Sequence, residues 1–487
     1  MITIFKNLFY LRYLKFYQIF SFLKITKIVG FLLRSNFEHS NNFNFKFDFI
    51  NYQNFNILDD NFCLSLEGEK IDIIDNWVGG KSLLSNFNIH YFNFIHKLSR
   101  EKFEKVLDNW IYNKSIHQSI SDHPYVISKR LINLVIYLQN NQNVEKNRLQ
   151  KILFDDYNKL IFNLEFRLGN NHLTTNFIAI YFVINIFGKG KLKLLFNKFF
   201  ENHITSQILE DGCHIEQTPM YHHLFLQDLI LVNEINQNIN KSIVLYIAMD
   251  KVNKFNLKIN PGIDECTFIN DSNNYQFINS QVLNNFINFK FNINYKNFEI
   301  KFIKKKSGFF FYQTENKNYI FFNSNIITKF NPGHIHSGLL TYEVFKNKKK
   351  IITNLGVGTY SENNKRFFQK SDISKNTSYL GILSFGIYKS FRIFYYPKII
   401  KYKVYFNNDY YYLSFTYKVG FLKKIFLKKS FLINSSSISK FESSNVNNFK
   451  TYLNSIENLN LYKRNKMKLI KFKFIKYINF GIKTNIV

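Results

Sequence analysis

The stretch DGCHIEQTPMYHH, residues 211–223, places a turn, a helix start, a phenol, three imidazoles and a carboxylate within thirteen positions. Thr218 suits the position that caps a helix, and Pro219 suits the first helical position, where a missing N–H costs nothing. Tyr221 then falls in the first turn, at the positive end of the helix dipole, where we expect its hydroxyl to lose a proton more easily. Phenols that exchange protons are candidates for general acid/base catalysis, although a buried structural tyrosine fits the same local pattern.

Length and composition describe a large globular chain with more than one core. At 487 residues we expect two or three domains, because single cores stop growing at roughly 250–300 residues. Hydrophobic residues make up 46% of the chain and aromatic residues 18%, which is ample for large cores. Only 5 proline and 18 glycine residues are present, which excludes collagen-like and proline-rich chains.

The net charge is strongly positive and uneven. It is +31 for the whole chain, and residues 401–487 alone carry +14. A field of this sign attracts polyanions, which include nucleic acid, anionic lipid and acidic polysaccharide. Because no recognisable nucleic-acid-binding motif or aromatic platform accompanies the charge, we expect no nucleic-acid partner.

Cysteines and the N-terminus bear on the compartment. Cys63, Cys213 and Cys266 lie far apart without a C-x-x-C pair, which predicts neither a disulfide framework nor a zinc site. Residues 1–37 mix apolar and aromatic side chains with lysine and arginine, without a membrane-spanning run or a secretory cleavage site. We therefore expect a cytoplasmic protein or one peripheral at the inner membrane, with a periplasmic location left open. The basic segment fits either contact with an anionic membrane surface or packing on the protein itself.

Hydrophobic patterning divides the chain into three parts. Residues 1–75 form a mixed N-terminal leader, strand-like around Phe43–Phe49. Residues 76–295 carry apolar residues at helical spacing between breaks such as Gly188, which predicts a helical toroid or bundle. Residues 296–487 hold short β-branched and aromatic runs with turn residues between them, which predict an antiparallel β-sandwich. The expected fold class is α+β with several domains.

Two further stretches carry residues suited to chemistry. Asn171 and His172 lie in GNNHL, at a predicted helix start, and His334 and His336 lie in PGHIHSG, which leads into a predicted strand. In an extended segment these last two imidazoles point to the same side. Such a pair binds a metal, or holds an anion when protonated, although a surface loop fits the same pattern.

Together these residues suit proton abstraction next to a carboxylate. The hydrogen on C5 of a uronic acid is only weakly acidic, and hydrogen-bond donors that neutralise the neighbouring carboxylate stabilise the enolate-like state. A tyrosine or histidine then removes the proton, and a tyrosine protonates the leaving glycosidic oxygen. The resulting reaction is β-elimination, which leaves an unsaturated sugar.

Several segments resemble the heparinase II/III-like polysaccharide lyase family. DGCHIEQTPMYHHLFLQDL is similar to its D-G-x-H-x-E-x-S-P-x-Y-H segment, and NNHLTTN to its N-H-L-x-x-N segment. PGHIHSGLLTYEVFKNKKKIITNLGVGTY and SDISKNTSYL resemble two segments from the family's second half. NFNIHYFNF, HPYVISKRLINLVIYL and LRYLKFYQI are similar to members linked to surface-polysaccharide gene sets. The match runs in order over roughly residues 10–400.

This resemblance implies an (α/α) toroid followed by an antiparallel β-sandwich, with the active cleft between them. Asn171 would neutralise the substrate carboxylate, with His172 beside it as neutraliser or base. Tyr221 would be the acid that protonates the leaving oxygen, and in many family members it is also the base. His334 would hold the carboxylate or abstract the proton. We further expect contacts to substrate from five residues: His214, Glu216, His336, Arg366 and Lys375.

The sequence departs from the family at a structural zinc site that some members hold through a histidine, an aspartate and a second histidine. His336 matches the first ligand, but Asn354 stands where the aspartate is expected and Lys375 where the second histidine is expected. Neither is a good zinc ligand, and the lysine would have to lose its proton first. We therefore expect no zinc and no other cofactor. Gly338 and Thr175 also replace acidic residues of the family pattern.

Three functions remain open from the sequence. The first is a polysaccharide lyase acting on an acidic, uronic-acid-containing glycan. The second is a uronosyl C5-epimerase, which uses the same proton abstraction. The third is a non-catalytic glycan-binding or assembly protein of surface polysaccharide metabolism. The sequence decides neither the glycan nor the oligomeric state.

Overall fold

The fold was analysed in a computed structural model. It describes residues 25–34, 45–53, 57–66, 69–141, 146–261, 264–292, 307–313, 319–324, 333–379, 387–393, 395–406, 411–419, 425–433, 437–444, 450–451, 461–464, 470–472 and 475–485. Most of the basic N-terminal segment and the expected domain boundary at 295/296 lie outside these residues. No helix in the described ranges is long and apolar enough to span a membrane.

Twelve α-helices lie within the described residues, eleven of them before residue 292. They are α1 Ile25–Leu33, α2 Leu83–Ile89, α3 Arg100–Tyr112, α4 Lys114–Ser121, α5 Pro124–Asn140, α6 Lys146–Ile161, α7 Asn170–Phe187, α8 Gly190–Ser206, α9 Pro219–Asn238, α10 Ile243–Ile259, α11 Ser280–Phe291 and α12 Asn364–Lys370.

Helices α5 to α10 form two layers. Helices α5, α7 and α9 are buried on nearly every side and contact one another in series. Such burial requires a helix that is hydrophobic almost all round, as in the FIAIYFVINIF run of α7. Helices α6, α8 and α10 pack on them through one apolar face, α6 against α5, α8 against α7 and α10 against α9. This alternation of inner and outer helices is the predicted helical toroid.

Two inner helices begin where the sequence predicts. Thr218 is the residue before α9 and Pro219 is its first residue, while α7 begins at Asn170, directly after Gly169. Gly169 adopts a φ of 66°, a left-handed conformation that glycine reaches without steric cost. Both helix starts therefore carry predicted site residues in their first turn.

Strands dominate the described residues after 307, and two further strands lie earlier in the chain. The strands are β1 Cys63–Leu66, β2 Glu69–Asp72, β3 Phe309–Gln313, β4 Tyr319–Asn323, β5 Thr341–Lys346, β6 Lys349–Ile352, β7 Ser378–Tyr379, β8 Ile387–Lys389, β9 Arg392–Ile393, β10 Lys398–Phe406, β11 Tyr411–Val419, β12 Ile425–Ile433, β13 Ser437–Ser444, β14 Lys450–Thr451, β15 Leu461–Arg464, β16 Ile470–Phe472 and β17 Ile475–Asn485.

Two antiparallel sheets make the second core. One has the order β3-β4-β5-β6, and the other has the order β10-β11-β12-β13-β17-β15, with β16 also paired to β17. Side chains of the two sheets meet between them, as the rings of Phe322 and Phe431 do at a centroid distance of 4.9 Å. Two sheets packed face to face in this way form the predicted β-sandwich.

The leader differs from its prediction. In the described part of the strand-like stretch, Phe49–Tyr52 is a 3₁₀ helix, and the β-hairpin lies further on, at β1 and β2. The backbone N–H groups of Asp48 and Phe49 donate to Glu234 Oε1 of α9, at 2.7 and 3.1 Å. These tertiary bonds take the place of a strand ladder and tie the leader to the toroid.

Candidate active site

The toroid contributes an imidazole–carboxylate pair. Nδ1 of His172, in the first turn of α7, lies 2.9 Å from Oε1 of Glu165. Asn176 holds the other oxygen of Glu165 through an Nδ2–Oε2 hydrogen bond of 3.1 Å. Burial lowers the pKa of His172, but the hydrogen bond and charge of Glu165 outweigh it and raise the pKa. Burial likewise raises the pKa of Glu165, and the imidazole overcomes it, so that the pKa is lowered. The pair favours imidazolium and carboxylate.

Glu216 joins the toroid to the sandwich. Its Oε1 accepts a hydrogen bond from the backbone N–H of Asn171, at 3.2 Å. Its Oε2 lies 3.7 Å from Nε2 of His334, beyond hydrogen-bond reach, and has no hydrogen-bond partner among the described residues. The side chain of Asn171 is half-buried. Glu216 therefore places Asn171 and His334 on its two sides.

Tyr221 packs against His334. The two rings have centroids 4.4 Å apart, and the Tyr221 hydroxyl donates to the hydroxyl of Tyr360 at 3.3 Å. Burial, with Tyr360 and Asp271 adding to it, raises the pKa of Tyr221 well above its ordinary value. The expectation of easier proton loss is therefore wrong, because loss of water around the phenol outweighs the helix dipole. Tyr221 is held in its protonated form.

Asp271, in the segment between α10 and α11, binds three side chains from the second half of the chain. Both of its oxygens bind the guanidinium of Arg366, Oδ1 to Nη1 at 2.5 Å and Oδ2 to Nη2 at 2.7 Å. Oδ2 also bonds Nδ1 of His334 at 2.8 Å, and Oδ1 bonds Nε2 of His336. Burial raises the pKa of Asp271, but His336 and Arg366 overcome it and hold the pKa well below its usual range. The carboxylate accepts from all three side chains.

The same contacts confirm that His334 and His336 point to one side of their segment. Because an ionised carboxylate only accepts hydrogen bonds, Nδ1 of His334 carries the hydrogen in that bond. In the neutral ring, the lone pair then lies on Nε2, the nitrogen nearer Glu216. His334 is thereby arranged to accept a proton at Nε2.

All five residues expected to contact substrate are buried. Arg366 is 0% exposed, and its guanidinium is also bound by Ser390 and lies over the rings of Tyr360 and Phe391. His336 and Lys375 are buried too, and His214 is buried against Phe225. The expectation that these four residues touch substrate is therefore wrong, and they instead support the residues of the site. Spacing along the chain does not show which side of a segment faces the cleft.

Glu216 is buried as well, but its Oε2 points toward His334 without a hydrogen bond. His222 and His223 are structural: each ring bonds protein groups on both nitrogens, and burial lowers their pKa values to about 3 and about 4.

The residues at the expected zinc position do not suit the metal. Asn354 Oδ1 already accepts from Thr341 Oγ1 and from the backbone N–H of Asn376, both at 2.9 Å. Lys375 is buried, and this burial lowers its pKa to about 8. Within the described ranges, no group of three or more His, Cys, Asp or Glu side chains is placed to hold a metal ion. Of the three residues at this position, His336 alone is a good zinc ligand, because the amide oxygen of Asn354 is already engaged and Lys375 is a lysine.

Sequence comparison finds a family model that matches part of the chain. Residues 303–381, which include His334, His336 and Lys375, match the model of the Heparinase II/III-like, C-terminal family. The resemblance to the heparinase II/III-like family is confirmed. A search of the curated proteins found no match.

Solved structures of heparinase type share the fold. A crystal structure of heparinase III aligns over 97% of this chain and 83% of its own, with 12% identity and a TM-score of 0.61. Another heparinase III aligns over 85% and 78%, with 13% identity and a TM-score of 0.55. Heparan sulfate lyase HepC from Pedobacter heparinus aligns over 95% and 80%, with 12% identity and a TM-score of 0.50. The predicted toroid followed by a β-sandwich is confirmed.

Three residues of this site were missed by sequence reasoning: Glu165, Asp271 and Tyr360. Asp271 stands in the run NDSNN, one of many asparagine-rich runs in this chain, and no spacing sets it apart. Glu165 precedes Asn171 by six residues without a motif of its own. Tyr360 is the last residue of PGHIHSGLLTYEVFKNKKKIITNLGVGTY, and the resemblance of this segment to the family is the one signal that indicates Tyr360.

Proposed function

We propose that the chain is a polysaccharide lyase that cleaves a uronic-acid-containing acidic glycan by β-elimination. The observation that carries the proposal is the Tyr221–His334 ring contact of 4.4 Å, with Asp271 behind the imidazole and Glu216 beside it. It brings one group arranged to accept a proton next to one that is held protonated.

The toroid side of the site binds the substrate carboxylate. The His172 imidazolium and the half-buried Asn171 amide present positive charge and hydrogen-bond donors at adjacent positions of α7. Neutralising that carboxylate lowers the cost of removing the hydrogen on C5, because negative charge develops on the carboxylate oxygens as the proton leaves.

His334 and Tyr221 move the proton. Nε2 of His334 takes the C5 hydrogen, and the imidazolium that forms is stabilised by Asp271 and Glu216. The C5–H electron pair forms the C4–C5 double bond through the enolate-like state, and the bond from C4 to the glycosidic oxygen breaks. Tyr221 then gives its hydroxyl proton to that oxygen. The raised pKa of Tyr221 supports the acid role, since the proton is present when the leaving oxygen needs it.

A panel of uronate polymers tests the proposal. We expect at least one polymer to give the ultraviolet absorbance of an unsaturated uronate with the intact chain, and to give it about 10²–10⁴-fold more slowly with Tyr221→Phe. Deuterium incorporation at C5 without chain cleavage would instead identify a C5-epimerase. Glycan binding that persists without either reaction would identify a non-catalytic protein.

A further inference from the structure

Lys375 is a buried cation that has no hydrogen-bond partner among the described residues. It follows the short 3₁₀ turn Asp372–Ser374, is 1% exposed, and its Nζ meets no acceptor within the described residues. Taking an ammonium out of water is costly unless nearby carboxylates compensate. The surroundings of Lys375 must therefore compensate its charge.

Those surroundings are carboxylates. The charge of Lys375 is attracted by Asp271, Glu343 and Asp372 and opposed by Arg366. Glu343, on β5, is fully buried, and its oxygens accept from Thr353 and from the backbone of Asn354 and Phe268, which are neutral donors. Lys375 thus supplies positive charge to a buried carboxylate whose hydrogen-bond donors are neutral.

Lys375 also acts on the histidine that shares Asp271. Nε2 of His336 bonds Asp271, while its Nδ1 is buried and has no hydrogen-bond partner among the described residues. Burial lowers the pKa of His336 well below its ordinary value, and the nearby positive charge of Lys375 lowers it further. Asn354 also lies in these surroundings, where Thr341 Oγ1 donates a hydrogen bond to its Oδ1. Thr341 and Lys375 both lie beside Gly338: a Cβ added to this glycine would be 3.4 Å from Cγ2 of Thr341 and 3.5 Å from Cγ of Lys375.

We propose that the Lys375 ammonium is a tethered cation that takes the place of a structural metal ion. It supplies the positive charge between Glu343 and the His336–Asp271 pair, and so holds Asp271 in line with His334. Lys375 is a positioning residue, since His336 and Asp271 stand between it and the imidazole of His334. The proposal stands whether or not the chain is a lyase.

Zinc uptake and thermal unfolding of the full chain test this position. The decisive variant is Lys375→His combined with Asn354→Asp, which adds an imidazole and a carboxylate to the free Nδ1 of His336 and so creates a three-ligand zinc set. The matched control is Lys375→Met combined with Asn354→Asp, which lacks the second imidazole. Zinc is measured after dialysis against zinc chloride and then against metal-free buffer.

We expect the unaltered chain to retain no zinc and to keep its unfolding temperature with zinc or chelator. Lys375→Met should unfold several degrees lower, and zinc should not restore it. The Lys375→His, Asn354→Asp variant should retain one zinc per chain and regain several degrees with the metal, whereas the control should do neither.

Three results would overturn the proposal: one tightly held zinc in the unaltered chain, an unchanged unfolding temperature in Lys375→Met, or no zinc in the three-ligand variant. If that variant does not fold, Lys375→Arg decides, because it keeps the charge. It should unfold closer to the unaltered chain than Lys375→Met does, and an equal loss in both would exclude a role for the charge.

Discussion

The site holds two imidazole–carboxylate pairs: the toroid pair, His172–Glu165, and the sandwich pair, in which His334 of the sandwich binds Asp271. Their hydrogen bonds are similar in length, but their surroundings differ. The nitrogen–oxygen distances are 2.9 and 2.8 Å. The carboxylate of Glu165 is otherwise bound by the neutral amide of Asn176 and lies 4.0 Å from Nε2 of His123, so its charge acts mainly on imidazoles. Asp271 is already bound by both arms of the Arg366 guanidinium.

The neighbours of the carboxylate, and not the hydrogen bond itself, therefore decide what the imidazole does. A carboxylate that is not paired with a guanidinium stabilises an imidazolium, which suits binding of an anion. A carboxylate that a guanidinium has neutralised fixes the tautomer and leaves the second nitrogen to accept a proton. We therefore propose that the toroid pair supplies charge and that the sandwich pair transfers the proton, and substitutions in each pair test that division.

The largest effect is expected from Asp271→Asn, which breaks the sandwich pair at its centre. The substitution leaves the guanidinium of Arg366 buried without a counter-charge, a loss of about 3–5 kcal/mol in the free energy of unfolding. Urea unfolding of the intact chain measures it. A loss below about 1 kcal/mol, the range of exposed ion pairs, would mean that Asp271 does not bear the charge of Arg366.

Tyr221→Phe should remove activity without removing stability. The phenyl ring keeps the packing against His334, but the proton for the leaving oxygen is gone, so kcat should fall by about 10²–10⁴-fold. Tyr360→Phe is the matched control, because it removes the acceptor of the Tyr221 hydroxyl but not the acid, and it should cost much less. Equal losses in the two variants would contradict the acid role of Tyr221.

Local signals in the sequence predicted the parts of the site that are set locally. Thr218 and Pro219 mark the start of α9, and the alternation of an extended chain places His334 and His336 on one side. The order of the motifs predicted the fold class, because the resemblance spans both halves of the chain.

What the sequence did not predict depends on contacts between distant residues. Asp271 meets Arg366 across 95 positions, and nothing near either residue indicates the partner. The pKa of Tyr221 follows from burial, which a helix dipole alone did not foretell. The same holds for the strand-like leader, whose Phe49 packs against Phe286 of α11 instead of entering a sheet.

A smaller effect is expected from Glu165→Gln, which breaks the toroid pair. Without the carboxylate, the pKa of His172 falls, so the imidazolium needs a lower pH. We expect kcat/KM near neutral pH to fall on the order of tenfold, the effect of about one pKa unit, and to recover as the pH is lowered. The pH profile of kcat/KM checks this. A uniform loss at every pH would contradict the assignment of His172 to charge.

The smallest effect is the pH dependence of stability that the toroid pair adds. Because the pKa of His172 is raised in the folded chain, its contribution is fully present below the unfolded value of about 6.5 and is lost as the pH rises through the folded value. Because the pKa of Glu165 is lowered, its contribution is present above the unfolded value of about 4.3 and is lost as the pH falls through the folded value. The difference in unfolding temperature between the unaltered chain and Glu165→Gln should therefore be greatest between about pH 4.3 and 6.5 and shrink on either side. The difference in unfolding temperature between the unaltered chain and His172→Gln should have its maximum in the same pH range, since one hydrogen bond joins both groups. A difference that does not vary with pH would mean that the pair is not ionic.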